Sequence, residues 1–409
     1  MFFLFLQSFK TYLAIAWGTF APGGKGLSWR RALVMMAFLP VFGLLQGLHW
    51  LGFLFDEIFF RGYRKVSVSQ PLLVLGPPRS GTTLLHRVLA RDPQFTTFTT
   101  WECLFAPSVT QRRFWLALGR LDRLAGWPLG RLLGRLERRV LGGLEAIHAT
   151  RLDAPEEDYL ILLPLMACFI LVLPFPFAEP LWRMGFFDRA MGAKEKERLL
   201  DYYRRCWQRH LYVHGPDKRL LSKNASFGPW VGSLLTAFPD ARILCCMRDP
   251  LETVPSQLSS IRSGIQLFDS SGGRAALPQR MIEVLVFHYE NLLQVLESLP
   301  PHRRLFLPME NLRSNLGREI GAAYGQLGIP FNPEFRRILD HEDSAARCYS
   351  SQHAYSLAEF GLDSEIIQRR FRAYYAWHET FMAASLAVKA INTIPTSSHN
   401  KVIKEVAVC

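Results

Sequence analysis

Residues 72–92 read Leu72-Leu73-Val74-Leu75-Gly76-Pro77-Pro78-Arg79-Ser80-Gly81-Thr82-Thr83-Leu84-Leu85-His86-Arg87-Val88-Leu89-Ala90-Arg91-Asp92. The first four form a short apolar run between Pro71 and Gly76, which predicts a strand buried on both faces. A Gly/Pro/Ser turn follows, and then Thr83, Leu84, Leu85, Val88 and Leu89 recur at helical spacing. Strand, glycine-bearing turn and helix make an anion cradle. The free N–H groups of a helix start point outward, and the helix dipole favours negative charge there. The spacing of Gly76 and Gly81 matches the loop of nucleotide-hydrolysing proteins, but Thr82 stands where those carry Lys. The cation must come from elsewhere, and Arg79, inside the loop, can supply it. Ser80, Thr82 and Thr83 add hydroxyl donors.

A second strip lies further along. Pro239-Asp240 makes a turn, and residues 243–247, Ile-Leu-Cys-Cys-Met, are apolar without a break. They predict another strand of a parallel sheet. Arg248-Asp249-Pro250 ends it, and Ser256 falls on the next helix. Ligands of open α/β sheets bind at the carboxyl ends of strands, so Arg248 stands where a fork of permanent charge can meet a phosphate. A third strip, Leu220-Leu221-Ser222-Lys223-Asn224-Ala225-Ser226-Phe227, reads as a strand ending in a cation.

Pro77-Pro78-Arg79-Ser80-Gly81-Thr82-Thr83-Leu84 resembles the 5′-phosphosulfate loop of sulfotransferases that use 3′-phosphoadenosine 5′-phosphosulfate (PAPS). Arg248-Asp249-Pro250 with Ser256 is similar to their 3′-phosphate motif. The likeness covers about residues 70–385 and is nearest to the bacterial, tyrosylprotein and carbohydrate enzymes. It implies a P-loop-like central parallel sheet flanked by helices, in the α/β class. It also implies PAPS as donor and a hydroxyl acceptor, without a metal. Arg79, Ser80, Gly81, Thr82, Thr83 and Leu84 would hold the phosphosulfate, and Arg248 and Ser256 the 3′-phosphate. Lys223 would approach the transferring group with Arg79, although Asn224-Ala225 departs from the family's commoner Lys-Ser-Pro or Lys-Asp-Pro. A Glu about twenty residues beyond the loop often serves as base in such enzymes, which points to Glu102 in Thr99-Thr100-Trp101-Glu102. Glu156, Glu157 and His148 are the alternatives.

The rest of the chain bears on partners. Among 409 residues, 48 Lys and Arg stand against 35 Asp and Glu, a net charge of +13. An anionic ligand or surface fits that balance. Hydrophobic residues make up 49%, which excludes a disordered chain. Seven Cys without a CxxC spacing suit a reducing compartment, on the cytoplasmic side. No recognised nucleic-acid module appears.

Residues 32–55 carry no Asp, Glu, Lys or Arg and are long enough to cross a bilayer. Pro40, Gln46, His49 and three glycines weaken a plain spanning helix. Insertion into a membrane is the expectation, with a packed hairpin or docking arm as the alternative. Residues 160–178 are also free of charge, but Pro164, Pro174 and Pro176 mark them as core or as an apolar acceptor wall. Residues 112–139 hold eight arginines and two acids interleaved with Leu and Trp, which suits a lipid headgroup region or a surface helix.

The resulting division is a membrane-associated arm (1–66), one α/β domain (67–388) with a mostly helical acceptor-side insertion (103–215), and a tail (389–409). The expected activity is sulfuryl transfer to an amphiphilic, lipid-like alcohol or a glycan. A nucleotide-dependent kinase or NTPase lacks its Lys and magnesium ligands here. A non-enzymatic membrane adaptor would leave the paired phosphate strips without a role.

Overall fold

Five strands carry the fold: β1 (Leu72–Leu75), β2 (Phe95–Thr96), β3 (Arg219–Asn224), β4 (Arg242–Met247) and β5 (Arg304–Pro308). They form one sheet in the order β2-β3-β1-β4-β5, and every pairing is parallel. This computed structural model describes residues 1–20, 28–141, 151–269, 276–348 and 356–392. Parallel strands require crossovers, and the crossover helices bury both faces of the sheet. Leu73 and Leu75 of β1 enter one core with Ile243, Cys245 and Met247 of β4. Leu72 and Val74 enter a second core with Leu221, Leu244 and Cys246. The neighbouring thiols of Cys245 and Cys246 therefore face opposite ways, and both are free and buried.

In chain order the helices that position the site are α1 (Phe2–Phe20), α2 (Trp29–Phe59), α3 (Thr82–Leu89), α4 (Thr100–Phe105), α5 (Val109–Leu124), α6 (Pro128–Leu141), α7 (Ala193–His214), α8 (Pro250–Leu267) and α9 (Ala276–Glu297). Between β2 and β3 the described residues form helices and helical turns, with no strand among them. The apolar run 160–178 is mainly core: Ile161, Leu162, Leu165, Leu171, Val172 and Phe175 are buried, whereas Ile170 and Phe177 are exposed. The strip 112–139 is two helices, not one. The left-handed Gly126 and Trp127 turn the chain, and Asp122 accepts the Leu129 and Gly130 N–H groups, each at 2.8 Å, to start α6.

α1 and α2 make up the apolar N-terminal arm, and one face of α2 docks on the domain. α2 contributes Met35, Leu39, Phe42 and Phe53 to the same core as the sheet. Burial of such side chains is worth about 1.5–3 kcal/mol each. Both ends of α2 are pinned to the domain. At one end, buried Arg31 donates to the carbonyls of Phe268 (2.9 Å) and Pro174 (2.8 Å). At the other, buried Asp56 pairs with Arg209 of α7 at 2.8 Å. Tyr12 ties α1 to α2 by donating to the Leu39 carbonyl at 2.8 Å. The helix Arg372–Asn392 takes in the first residues assigned to the tail, and 393–409 lie outside the described residues.

Candidate active site

The parallel register brings the carboxyl ends of β1, β3 and β4 to one edge, with Leu75 beside both Asn224 and Cys245. The loop after β1 is tightly constrained. Gly76 has φ +147°, and a Cβ there would lie 2.2 Å from the Cys246 carbonyl oxygen, so the chain needs glycine. Gly81, at φ +90°, turns into α3. Arg79 takes a left-handed φ of 68°, a conformation costing a non-glycine residue about 1–3 kcal/mol and common where function demands it.

The Arg79 side chain reaches α8, where Nε donates to Ser256 Oγ at 3.2 Å. From the end of β4, Arg248 Nη1 donates to the Arg79 carbonyl at 2.9 Å. Glu252, one turn on, accepts from Arg248 Nε (2.8 Å) and Nη2 (2.6 Å). The two strips thus meet: Arg79, Arg248 and Ser256 form one connected cationic group beside the start of α3. Ser80 Oγ is buried beneath the loop with no hydrogen-bond partner. Its nearest described surroundings are Gly76 and the end of β4, where a Cβ on Gly76 would lie 2.8 Å from Oγ. Thr82 is buried at the start of α3, and Thr83 and Leu84 follow it.

Lys223, at the end of β3, is also buried, and its Nζ donates to Glu157 Oε1 at 2.6 Å. It is close enough to α3 that its charge, after burial, helps push the His86 imidazole well below its ordinary range. Asp158 locks the Glu157 segment to the opposite face of β3. Its carboxylate accepts from Ser222 Oγ (3.0 Å), Trp207 Nε1 (2.9 Å) and Asn224 Nδ2. Burial pushes the Asp158 carboxyl up to about 6 against the pull of these donors. Fully buried Asn224 is no glycan acceptor, despite its sequon.

Glu102 stands elsewhere in this network. It closes a capping box with Thr99 at the start of α4. Its Oε1 accepts from His214 Nε2 at 2.6 Å and lies 3.2 Å from Arg112 Nε, and all but His214 are buried. Burial favours the neutral acid. His210, the His214 hydrogen bond and Arg112 overcome it and hold the carboxyl well below the usual carboxylate range. Burial keeps His210 itself neutral, so Arg112 and His214 carry the effect at neutral pH. Glu102, His210 and His214 bring ligand atoms within 4.8 Å, but the Arg112 guanidinium already supplies the positive charge beside Oε1. Glu156 accepts from Thr100 Oγ1 at 3.3 Å, and His148 lies outside the described residues.

Sequence reasoning missed the braces. On α9, neighbouring His288 and Tyr289 support the two loops. Buried His288 bonds the Gly76 backbone, and Tyr289 donates to the Arg248 carbonyl at 2.7 Å. Tyr375 caps the arrangement by donating to Asp249 Oδ1 at 2.7 Å. No motif marks these residues, because each works through a backbone or a carboxylate remote in the chain.

Residues 71–333 match the sulfotransferase family. The chain is 24% identical over 332 residues to the omega-hydroxy-beta-dihydromenaquinone-9 sulfotransferase Stf3 of Mycobacterium tuberculosis, covering 77% of this chain and 78% of that one. In fold it is similar to the sulfotransferase STF9 of Mycobacterium avium, with a TM-score of 0.70, 20% identity and coverage of 91% of this chain and 94% of that one. STF1 of Mycobacterium tuberculosis gives a TM-score of 0.62 at 19% identity, over 90% and 91% of the two chains. With the strand–loop–helix cradle in place and more than half its length matched, this chain belongs to the sulfotransferase family.

Proposed function

We propose that this sulfotransferase takes its sulfuryl group from PAPS and delivers it to the hydroxyl of a long-chain, lipid-like alcohol met at a membrane surface. The observation that carries the donor is the union of Arg79, Arg248 and Ser256 at the loop that opens α3. Such a group matches a ligand with two separate phosphate positions. The acceptor class rests on the hydroxylated menaquinone derivative in the name of the mycobacterial relative and on the apolar outer faces of the N-terminal helices.

PAPS supplies a sulfuryl group whose transfer releases adenosine 3′,5′-bisphosphate. The acceptor oxygen forms the new bond to sulfur as the bond from sulfur to the 5′-phosphate oxygen breaks. The hydroxyl proton passes to a carboxylate, and we assign that carboxylate to Glu157. Lys223 binds Glu157 and stands beside the loop helix, so one ammonium orients the base and offsets charge gathering on the leaving phosphate. Arg79 and the N–H groups at the start of α3 share that second task. Glu102, sealed among Arg112 and His214, acts as structure.

Adenosine 3′,5′-bisphosphate should raise the melting temperature of the full chain, whereas ATP with magnesium should not. Arg248→Ala should weaken binding of the bisphosphate by about 2–4 kcal/mol and leave adenosine 5′-phosphosulfate nearly unchanged. Calorimetric titration of both ligands reads the difference. Equal loss for the two would defeat the assignment, as would stabilisation by ATP and magnesium alone.

A further inference from the structure

We propose that the protein lies on an anionic membrane leaflet with α2 parallel to the surface, embedded through the outer faces of α1, α2 and α5. This extends the membrane reading of the acceptor given above. It commits that reading to a particular surface, an orientation and a lipid charge.

The inner face of α2 is buried at helical spacing, and the outer face is the reverse. Leu33, Val41, Leu44, Leu48, Leu51 and Ile58 are all exposed along one stripe. At about 1.5 Å per residue the stripe is longer than the apolar thickness of a bilayer. It cannot run through one, however, because Arg31 and Asp56 fasten both ends of α2 to the same domain. The helices beside it continue the surface. α1 is tied on by Tyr12 and exposes Phe2, at 74%, and Trp17, at 77%. On the other side α5 joins α2 through Gln111, which donates to the Leu48 carbonyl at 3.3 Å. It exposes Leu121 and Leu124, and the turn into α6 exposes Trp127. An apolar face this extended marks an interaction surface.

Charge selects the partner. α1 has Lys10 and no acid. On α2, Asp56 is buried with Arg209, and Glu57 is paired with Arg64. On α5 the lone acid, Asp122, is buried as the cap of α6. Arg113, Arg120 and Arg123 are exposed on the same helix. A face of Leu, Phe and Trp edged by arginine, with its acids hidden or neutralised, complements an anionic lipid leaflet.

The full chain, mixed with vesicles of phosphatidylcholine alone or with added phosphatidylglycerol, should bind the anionic vesicles about tenfold or more tightly, with salt shrinking the gap. Leu44→Asp with Leu51→Asp should lower binding to both kinds of vesicle. Arg120→Glu with Arg123→Glu should abolish the preference between them. All these positions are exposed, so the variants should keep wild-type binding of adenosine 3′,5′-bisphosphate. Fluorophores on Leu33→Cys and Leu48→Cys, quenched by brominated lipids, should report one shallow depth.

Three results would overturn the proposal. One is no binding to anionic vesicles by a chain that still binds the bisphosphate. Another is a Leu48→Cys label at the bilayer centre while the Leu33→Cys label stays at the interface. The third is outer-face variants that change self-association in solution and leave vesicle binding as it was. Failure of the function proposed above would show differently, as lost bisphosphate binding with vesicle binding intact.

Discussion

Asp56→Ala should cost about 3–5 kcal/mol of folding stability, because it leaves the buried guanidinium of Arg209 without its principal counter-charge. Asp56 is fully buried on α2 and accepts four hydrogen bonds. Arg209 Nε donates at 2.8 Å, the N–H groups of Val109 and Thr110 at 2.9 Å and 2.8 Å, and Thr110 Oγ1 at 2.7 Å. The two N–H groups belong to the first turn of α5, so one carboxylate from a distant helix both caps α5 and neutralises α7. The Tyr63 hydroxyl, at 2.8 Å, and Glu57, at 3.3 Å, would remain near Arg209. They soften the loss without replacing the bonds to α5. Urea midpoints of the variant and wild type measure the cost. Replacing Asp56 and Arg209 together by apolar residues should cost less than the two single changes summed, since neither charge is then left alone. A midpoint unchanged in Asp56→Ala would show that α2 only rests on the domain.

The same contacts explain why the sequence was readable in the sheet and left two readings open at the N-terminus. A strand buried on both faces writes itself as an unbroken apolar run, which is what 72–75 and 243–247 show, and each run ends in a loop of the candidate site. β2, only Phe95-Thr96, is too short to carry any pattern. In α2 one face is apolar because it is core and the other is apolar and exposed, so composition matches that of a membrane span. What distinguishes them is the far ends of Arg31 and Asp56. Their partners, at Pro174, Phe268 and Arg209, lie more than a hundred residues away. Removing residues 1–65 would therefore strip four core side chains and the partner of Arg209. The site shows the same division. The loop and its arginines are local signals, whereas the environment of Glu102 is assembled from α4, α5 and α7. Spacing from the loop could locate that carboxylate but not its neighbours.

Those neighbours separate the two carboxylates in a single pair of variants. Glu157→Gln should cut turnover by about 10²-fold or more while affinity for adenosine 3′,5′-bisphosphate stays near wild type, because the amide keeps the shape and loses the proton acceptor. Glu102→Gln should act on the fold instead. It leaves the fully buried Arg112 uncompensated, at a cost of about 3–5 kcal/mol. The pH dependence gives an independent readout. The Glu102 carboxyl is held below its ordinary range in the folded state, so its stabilisation is fully present above the unfolded carboxylate pKa of about 4.3. It is lost as pH falls through the lower folded value. The stability gap between wild type and Glu102→Gln should therefore be widest near neutral pH and close in acid. Glu157→Gln also leaves the buried Lys223 without its carboxylate, so its loss of turnover is read per folded molecule. Turnover per folded molecule, measured at saturating donor with melting curves on the same samples, keeps the two effects apart. If Glu102→Gln folds as wild type and loses turnover while Glu157→Gln keeps it, the base is Glu102, and the Lys223–Glu157 pair only holds the segment against β3.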